Sequence, residues 1–263
     1  MCKLTKEYSC ILITEPRQVG KSTMLGHIDS TRNKVTLDDL QERNLAKNDP
    51  EMFLKLHKTP ILIDEVQYAP ELFSYIKIAI DNGAEPGSFW LTGSQSYKLM
   101  SLAQETLAGR IAILNLTTLS QHELYSNGEL LPFTLSLDEL KQREQLCEKA
   151  DVGSIFERIW QGGLPGLASG KYTNRDIYYS SYLQTYLSRD VKEEMPIKDD
   201  SKFIDFIRAV ACRVGQELNV HSIATDVEVS DDTAKRWLGM LEKSEVIFYL
   251  HPYSNNLLKR VVK

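Results

Sequence analysis

Two short stretches of this 263-residue chain hold the residue types that handle phosphate and a divalent metal: Gly20-Lys21-Ser22-Thr23, and further on Asp64-Glu65. A tight turn followed by Gly-Lys-Ser/Thr lets bare backbone N–H groups curl around phosphates, while an ammonium and a hydroxyl reach the phosphates and their metal. The full pattern asks for Gly, four residues, then Gly-Lys-Ser/Thr. Here Glu15 stands where the first glycine belongs, and Pro16, Arg17, Gln18 and Val19 fill the turn. The stretch therefore reads as a phosphate-binding loop, residues 16–23, with a carboxylate at its entrance.

Glu15 carries two expected costs. If the loop needs a positive φ there, a residue other than glycine costs about 1–3 kcal/mol. A carboxylate ~6 Å from one phosphate charge adds ~3 kcal/mol at an effective dielectric of about 20. A side chain turned to solvent, or paired with Arg17, would screen most of the second cost. The expectation is weakened binding rather than none.

The segment PILIDEVQ, residues 60–67, places two acids where a buried strand should end. It resembles a Walker B segment, in which Asp64 would hold the water shell of Mg²⁺ and Glu65 would polarise an attacking water. The plain alternative is a strand that ends in two solvated acids. Its position after a phosphate loop, within an alternation of strands and helices, favours the functional reading.

These residues need elements to position them. CILIT, residues 10–14, is a continuous apolar run of the kind that forms a parallel strand covered on both faces. Met24, Leu25 and Ile28 then follow helical spacing, so the loop opens a helix whose free N–H groups face it. Residues 34–37 predict a second strand, and Asp38-Asp39 the carboxylates that start the next helix. A helix is predicted from Pro70, stopped by Asn82-Gly83. SFWLTGS, residues 88–94, predicts a third buried strand. In resemblance to P-loop ATPases with a strand inserted between the two motif strands, Ser94 at its polar end is the candidate γ-phosphate sensor, with Gln95 the alternative and a simple turn at Thr92-Gly93-Ser94 the plain reading. Residues 96–109 read as a helix and 111–116 as a further strand. Strands alternating with helices imply a parallel sheet.

Composition bounds the rest. A formal net charge of −5 and a pI near 5.6 leave no global basic field to attract nucleic acid or an anionic membrane, so any DNA contact is local. Hydrophobic residues make up 42%, enough for a packed core. Cys2, Cys10, Cys147 and Cys212 are scattered without the close pairs of a zinc knuckle or redox dithiol. No apolar run approaches the roughly 20 residues that span a bilayer. Met1-Cys2-Lys3-Leu4 leads into polar residues rather than a signal segment. A cytoplasmic location is expected.

Composition changes after Tyr125, which sets the expected organisation: a sheet domain over 1–125, a helical region over 126–200 and a winged-helix-like segment over 201–263. The middle region contains a charged helix over 138–150, a break at Gly162–Gly166 and a long helix over 174–194 with tyrosines as packing groups. In the last segment, Phe203, Phe206, Ile207 and Val210 mark one helix, residues 222–226 a second and Trp237, Leu238, Met240 and Leu241 a third. Residues 245–250 are expected to return as a strand. From Asp231 to Lys243 the charges cancel, which is not a basic recognition surface. Lys259, Arg260 and Lys263 add local positive charge.

PRQVGKST, ILIDEVQYAPELF, FWLTGSQSYKLM, LAGRIAILNL, SYLQTYLSRDV and TAKRWLGMLEKSEVIFYLHPYSNNLLKRVVK occur in this order. Together they resemble the prokaryotic AAA-type P-loop ATPases whose ATPase domain precedes a poorly characterised, nuclease-like C-terminal domain. The resemblance covers nearly the whole chain and implies an α/β fold: a P-loop NTPase parallel sheet flanked by helices, then a helical and winged-helix segment. It implies ATP and Mg as ligands, with Lys21 on the β/γ-phosphates, Ser22 and Asp64 on Mg²⁺, Glu65 as the water-activating base and Ser94 as sensor. It offers Arg110 as a charge-stabilising arginine, with a structural salt bridge as the alternative. Glu15 and the end of the chain at Lys263 depart from the family pattern and suggest a degenerate or truncated member. The function expected is a Mg-dependent ATPase with weakened nucleotide binding. The alternative is a non-hydrolysing module on the same scaffold that contacts DNA through the winged-helix segment, or that binds a protein or a second copy of itself.

Overall fold

The computed structural model describes residues 1, 3–15, 19–94, 97–124, 134–146, 150–186, 191 and 199–251. The chain divides into two compact units, one formed by Met1–Ser94 with Leu102–Gln184 and the other by Gln95–Ser101 with Thr185–Lys263. Among the described residues no helix is long and apolar enough to cross a membrane.

The first unit is built on a five-stranded, all-parallel sheet: β1 (Cys10–Glu15), β2 (Asn33–Thr36), β3 (Ile61–Asp64), β4 (Phe89–Ser94) and β5 (Ile111–Asn115). The order is β2-β3-β4-β1-β5, so β4 is inserted between the strands that end at Glu15 and Asp64. The central strands are apolar and buried without interruption: Cys10 to Ile13, Ile61 to Ile63 and Phe89 to Leu91 are all 4% exposed or less. Such runs form where helices cover both faces of a sheet. Side chains alternate between the faces, so Ile11, Ile13, Leu62 and Trp90 meet on one of them with Leu25 of helix α1 (Lys21–Ile28).

Local chemistry starts the helices of this unit. Asp39 caps α2 (Leu40–Asn48) by accepting from the Gln41 and Glu42 N–H groups at 2.7 and 3.3 Å, while its neighbour Asp38 sits 3.9 Å from Arg43. Asp49 caps α3 (Pro50–Leu56), whose first position is a proline that has no N–H to lose. Helix α4 (Leu72–Asp81) begins two residues after the expected start at Pro70. The Leu72 and Phe73 N–H groups bond three residues back, to Ala69 and Pro70, so the lead-in is a tighter turn. Helix α5 (Tyr97–Thr106), of which only the part from Leu102 belongs to this unit, stops short of Gly109, whose φ of 73° ends the segment. A short α6 (Gln121–Leu124) and the charged α7 (Leu137–Leu146) follow. Next come α8 (Val152–Gln161), α9 (Pro165–Ala168) and α10 (Arg175–Tyr186). Most of the expected continuation of α10 to residue 194 lies outside the described residues.

The second unit packs α11 (Asp200–Ala211), α12 (Val220–Asp226) and α13 (Asp231–Lys243) around Phe203, Phe206, Trp237 and Leu241. The Trp237 ring meets both phenylalanines edge-on at 5.1 Å. Ser230 caps α13 through the Thr233 N–H at 3.2 Å. The strand expected over 245–250 does not form. Glu245 turns at a φ of 56°, and the Val246 and Ile247 N–H groups both bond back to the Leu241 carbonyl. Among the described residues no strand lies beside this stretch to supply a ladder, and Phe248 and Leu250 face outward. Residues 252–263, which include Lys259, Arg260 and Lys263, lie outside the described residues.

Candidate nucleotide site

Parallel strands deliver their carboxyl ends to one edge, where an open α/β sheet binds ligands. Here that edge receives Glu15 from β1, Asp64 from β3 and Ser94 from β4. Glu15 is the last residue of β1, in register with Ser94. Its backbone is therefore extended, a conformation open to any L residue. The strain expected from the missing glycine does not arise, and only the charge of Glu15 is left to weigh.

Pro16, Arg17 and Gln18 lie outside the described residues, as do Gln95 and the side chains of Glu15, Ser22 and Ser94. Val19 is buried, and Gly20 then takes the left-handed conformation (φ 96°, ψ 27°) that a side chain would resist. Gly20 is the N-cap of α1 and brings no side-chain cap. The N–H groups of Lys21, Ser22 and Thr23 are thus the first-turn donors that a helix leaves without intrahelical partners. The Lys21 side chain is only 6% exposed, and its Nζ lies 3.7 Å from Glu65 Oε1.

The two acids are held by a neighbour on the inserted strand. Pairing of Ile63 with Leu91 continues one residue to bring Thr92 beside Asp64. The fully buried Thr92 hydroxyl donates to Asp64 Oδ1 in a short hydrogen bond and accepts from the Glu65 N–H at 3.2 Å. One hydroxyl therefore fixes the carboxylate of Asp64 and the turn at Glu65. That turn is left-handed (φ 60°, ψ 45°), costly for a non-glycine residue, and it leads into a 3-10 turn at Val66–Tyr68. Gln67 Nε2 donates to Glu65 Oε2 in a second short bond. The sequence places Thr92 in the predicted strand over 88–94, with a simple turn as the alternative, and assigns no role to Thr92 or Gln67. The parallel register of two apolar runs, each followed by a polar residue, is the signal that would have found Thr92.

Arg110 is not brought to this site. It precedes Ile111, which pairs with Cys10 at the start of β1, whereas the phosphate loop follows the end of that strand. Five residues at about 3.3 Å each put it roughly 16 Å away along the strand direction. There Arg110 Nε bonds Asp81 Oδ1 at 2.6 Å and its Nη1 bonds the Ala108 carbonyl at 3.1 Å, the structural salt bridge of the alternative reading.

The donor set fits Mg²⁺ carried by a nucleotide. This ion keeps several waters and is held by one or two carboxylates together with substrate phosphates. Asp64 is a carboxylate at this edge, and Ser22 is the second residue of α1. Among the described residues no group of three or more His, Cys, Asp or Glu forms a dedicated metal cage. Cys10 is buried in β1, which pushes its thiol pKa up, and Cys212 is exposed; Cys2 and Cys147 lie outside the described residues.

Residues 7–125 match a family model described as an AAA domain, and residues 153–263 match a domain of unknown function (DUF8612). The uncharacterized proteins Rv2008c of Mycobacterium tuberculosis and Mb2031c of Mycobacterium bovis are each 28% identical to the chain over 257 residues, covering 95% of it and 51% of their own length. The chain thus spans about half the length of the curated relatives it matches. Among solved structures, the Walker-type ATPase PABY2304 of Pyrococcus abyssi has a TM-score of 0.49 at 16% identity, covering 92% of this chain and 86% of its own. The Thermotoga maritima RuvB Holliday junction branch migration motor has a TM-score of 0.35 at 17% identity, covering 89% and 79%.

Proposed function

We propose that the sheet unit binds Mg-ATP and hydrolyses it to ADP and phosphate. One observation carries this reading: the start of α1 at Gly20, Lys21, Asp64 and Glu65 converge on the carboxyl edge of a sheet whose strand order inserts β4 between the two motif strands. The match of residues 7–125 to an AAA domain supports it.

In this reading the first-turn N–H groups and Lys21 hold the phosphates, and Lys21 leaves Glu65 to do so. Bound Mg²⁺, held through Asp64 and Ser22, would neutralise phosphate charge. Glu65 accepts a proton from water as the water oxygen bonds the γ-phosphorus. The bond from that phosphorus to the β,γ-bridging oxygen breaks, and its electron pair stays on ADP. Ser94, at the end of the inserted strand, is the proposed γ-phosphate sensor. Glu15 lowers affinity through its charge alone.

Titration with a fluorescent ATP analogue, with and without Mg²⁺, tests the reading. Saturable binding that tightens with Mg²⁺ is expected. No binding by the native protein at millimolar analogue would remove it in favour of a non-hydrolysing scaffold.

A further inference from the structure

The two oxygens of Glu65 have different partners, and the difference suggests a division of labour. Oε1 faces Lys21 Nζ at 3.7 Å, and Oε2 accepts from Gln67 Nε2. We propose that Gln67 is a positioning residue that keeps the Glu65 carboxylate aimed when nucleotide draws Lys21 away. The inference rests on the ATPase reading above.

Three observations carry it. Glu65 sits in a left-handed turn, so no regular helix or strand geometry fixes the direction of its side chain. Of the two contacts on its carboxylate, the one with Lys21 is the one that phosphate binding must break, since the same ammonium pairs with the new anion. Oε1 is then released for the proton of the attacking water, while Oε2 stays tied to Gln67. Finally, the amide of Gln67 is oriented by this one bond. Its Oε1 is buried and has no hydrogen-bond partner among the described residues, a costly arrangement for a group that merely fills space. Flipping the amide would not relieve that cost, because it would set Oε1 against the Glu65 carboxylate.

Gln67→Leu and Gln67→Met in the full chain test the proposal. Both remove the donor, and methionine keeps the unbranched length if leucine disturbs the turn. Expected results are a kcat about 10–100-fold lower, the size of a lost orientation at a general base. KM, affinity for a fluorescent ATP analogue and the melting temperature without nucleotide stay near native values. A native kcat in both variants overturns the positioning role. A parallel fall of affinity, melting temperature and kcat in both also overturns it, in favour of a structural role. Absence of binding and turnover in the native protein overturns the ATPase reading and this inference with it.

Discussion

The two ends of the sheet contain similar polar residues in opposite arrangements. At the amino ends, Arg32 lies 3.8 Å over the Trp90 ring, bonds the Gly87 carbonyl at 2.7 Å and has Asp29 at 3.5 Å; Arg110 is closed onto Asp81. Those guanidiniums tie connecting segments to the sheet. At the carboxyl ends, the Thr92 hydroxyl and the Gln67 amide are spent on orienting two carboxylates, and Glu65 faces the ammonium of Lys21. Polar groups that end on carbonyls, rings and exposed acids stabilise the fold. Polar groups that aim other charged groups at one another build a site. Arg110, for which the sequence left both a charge-stabilising role and a structural salt bridge open, pairs with Asp81 at the amino ends.

Substitutions at the two ends should therefore separate stability from turnover. Asp64→Asn keeps the shape and a partner for Thr92 but removes the charge that would hold Mg²⁺. Turnover should fall about 10²–10³-fold, the scale of losing one electrostatic group at a phosphoryl centre, and analogue binding should lose its Mg²⁺ dependence. At the other end, Arg32→Ala should cost about 2–4 kcal/mol in denaturant unfolding, because it leaves buried carbonyls and the Trp90 face without their cation. Its kcat per folded molecule should match native. Thr92→Val tests the boundary between the two behaviours. Loss of the hydroxyl removes one hydrogen bond from the Asp64 carboxylate and one from the Glu65 N–H, and should lower turnover about 10–100-fold, the equivalent of one charge-assisted hydrogen bond. Arg110→Ala should do least. Its pair with Asp81 is about a third exposed on the arginine side, and such pairs contribute ~0–1 kcal/mol. A large turnover defect in Arg110→Ala, with stability intact, would break the comparison.

Much of the sheet could be read in advance because buried parallel strands announce themselves. CILIT, ILI and FWL are apolar without alternation, and each stops where the carboxyl edge begins. Asp39 caps the helix that its type foretold. Less could be read where tertiary context decides. Helix α3, for which the sequence analysis named no element, starts at the Asp49 cap and Pro50 and buries Phe53. The strand expected over 245–250 lacks a partner and gives way to backbone bonds with Leu241. Candidate residues behaved in the same way. Lys21 and Glu65 belong to contiguous motifs, and their side chains lie 3.7 Å apart. Thr92 and Gln67 act through register and a left-handed turn, which no residue type reveals alone. Glu15 shows the converse: its type suggested strain, but its place at the end of β1 requires none.

The central claim is that Lys21 and the opening of α1 form a nucleotide site. Analogue titration of the native chain beside Lys21→Ala measures it most directly. Saturable, Mg²⁺-dependent binding by the native protein, weakened about 100-fold or more without the lysine at unchanged melting temperature, is the predicted result. Equal binding by the two proteins, or none by the native one at millimolar analogue, would contradict it.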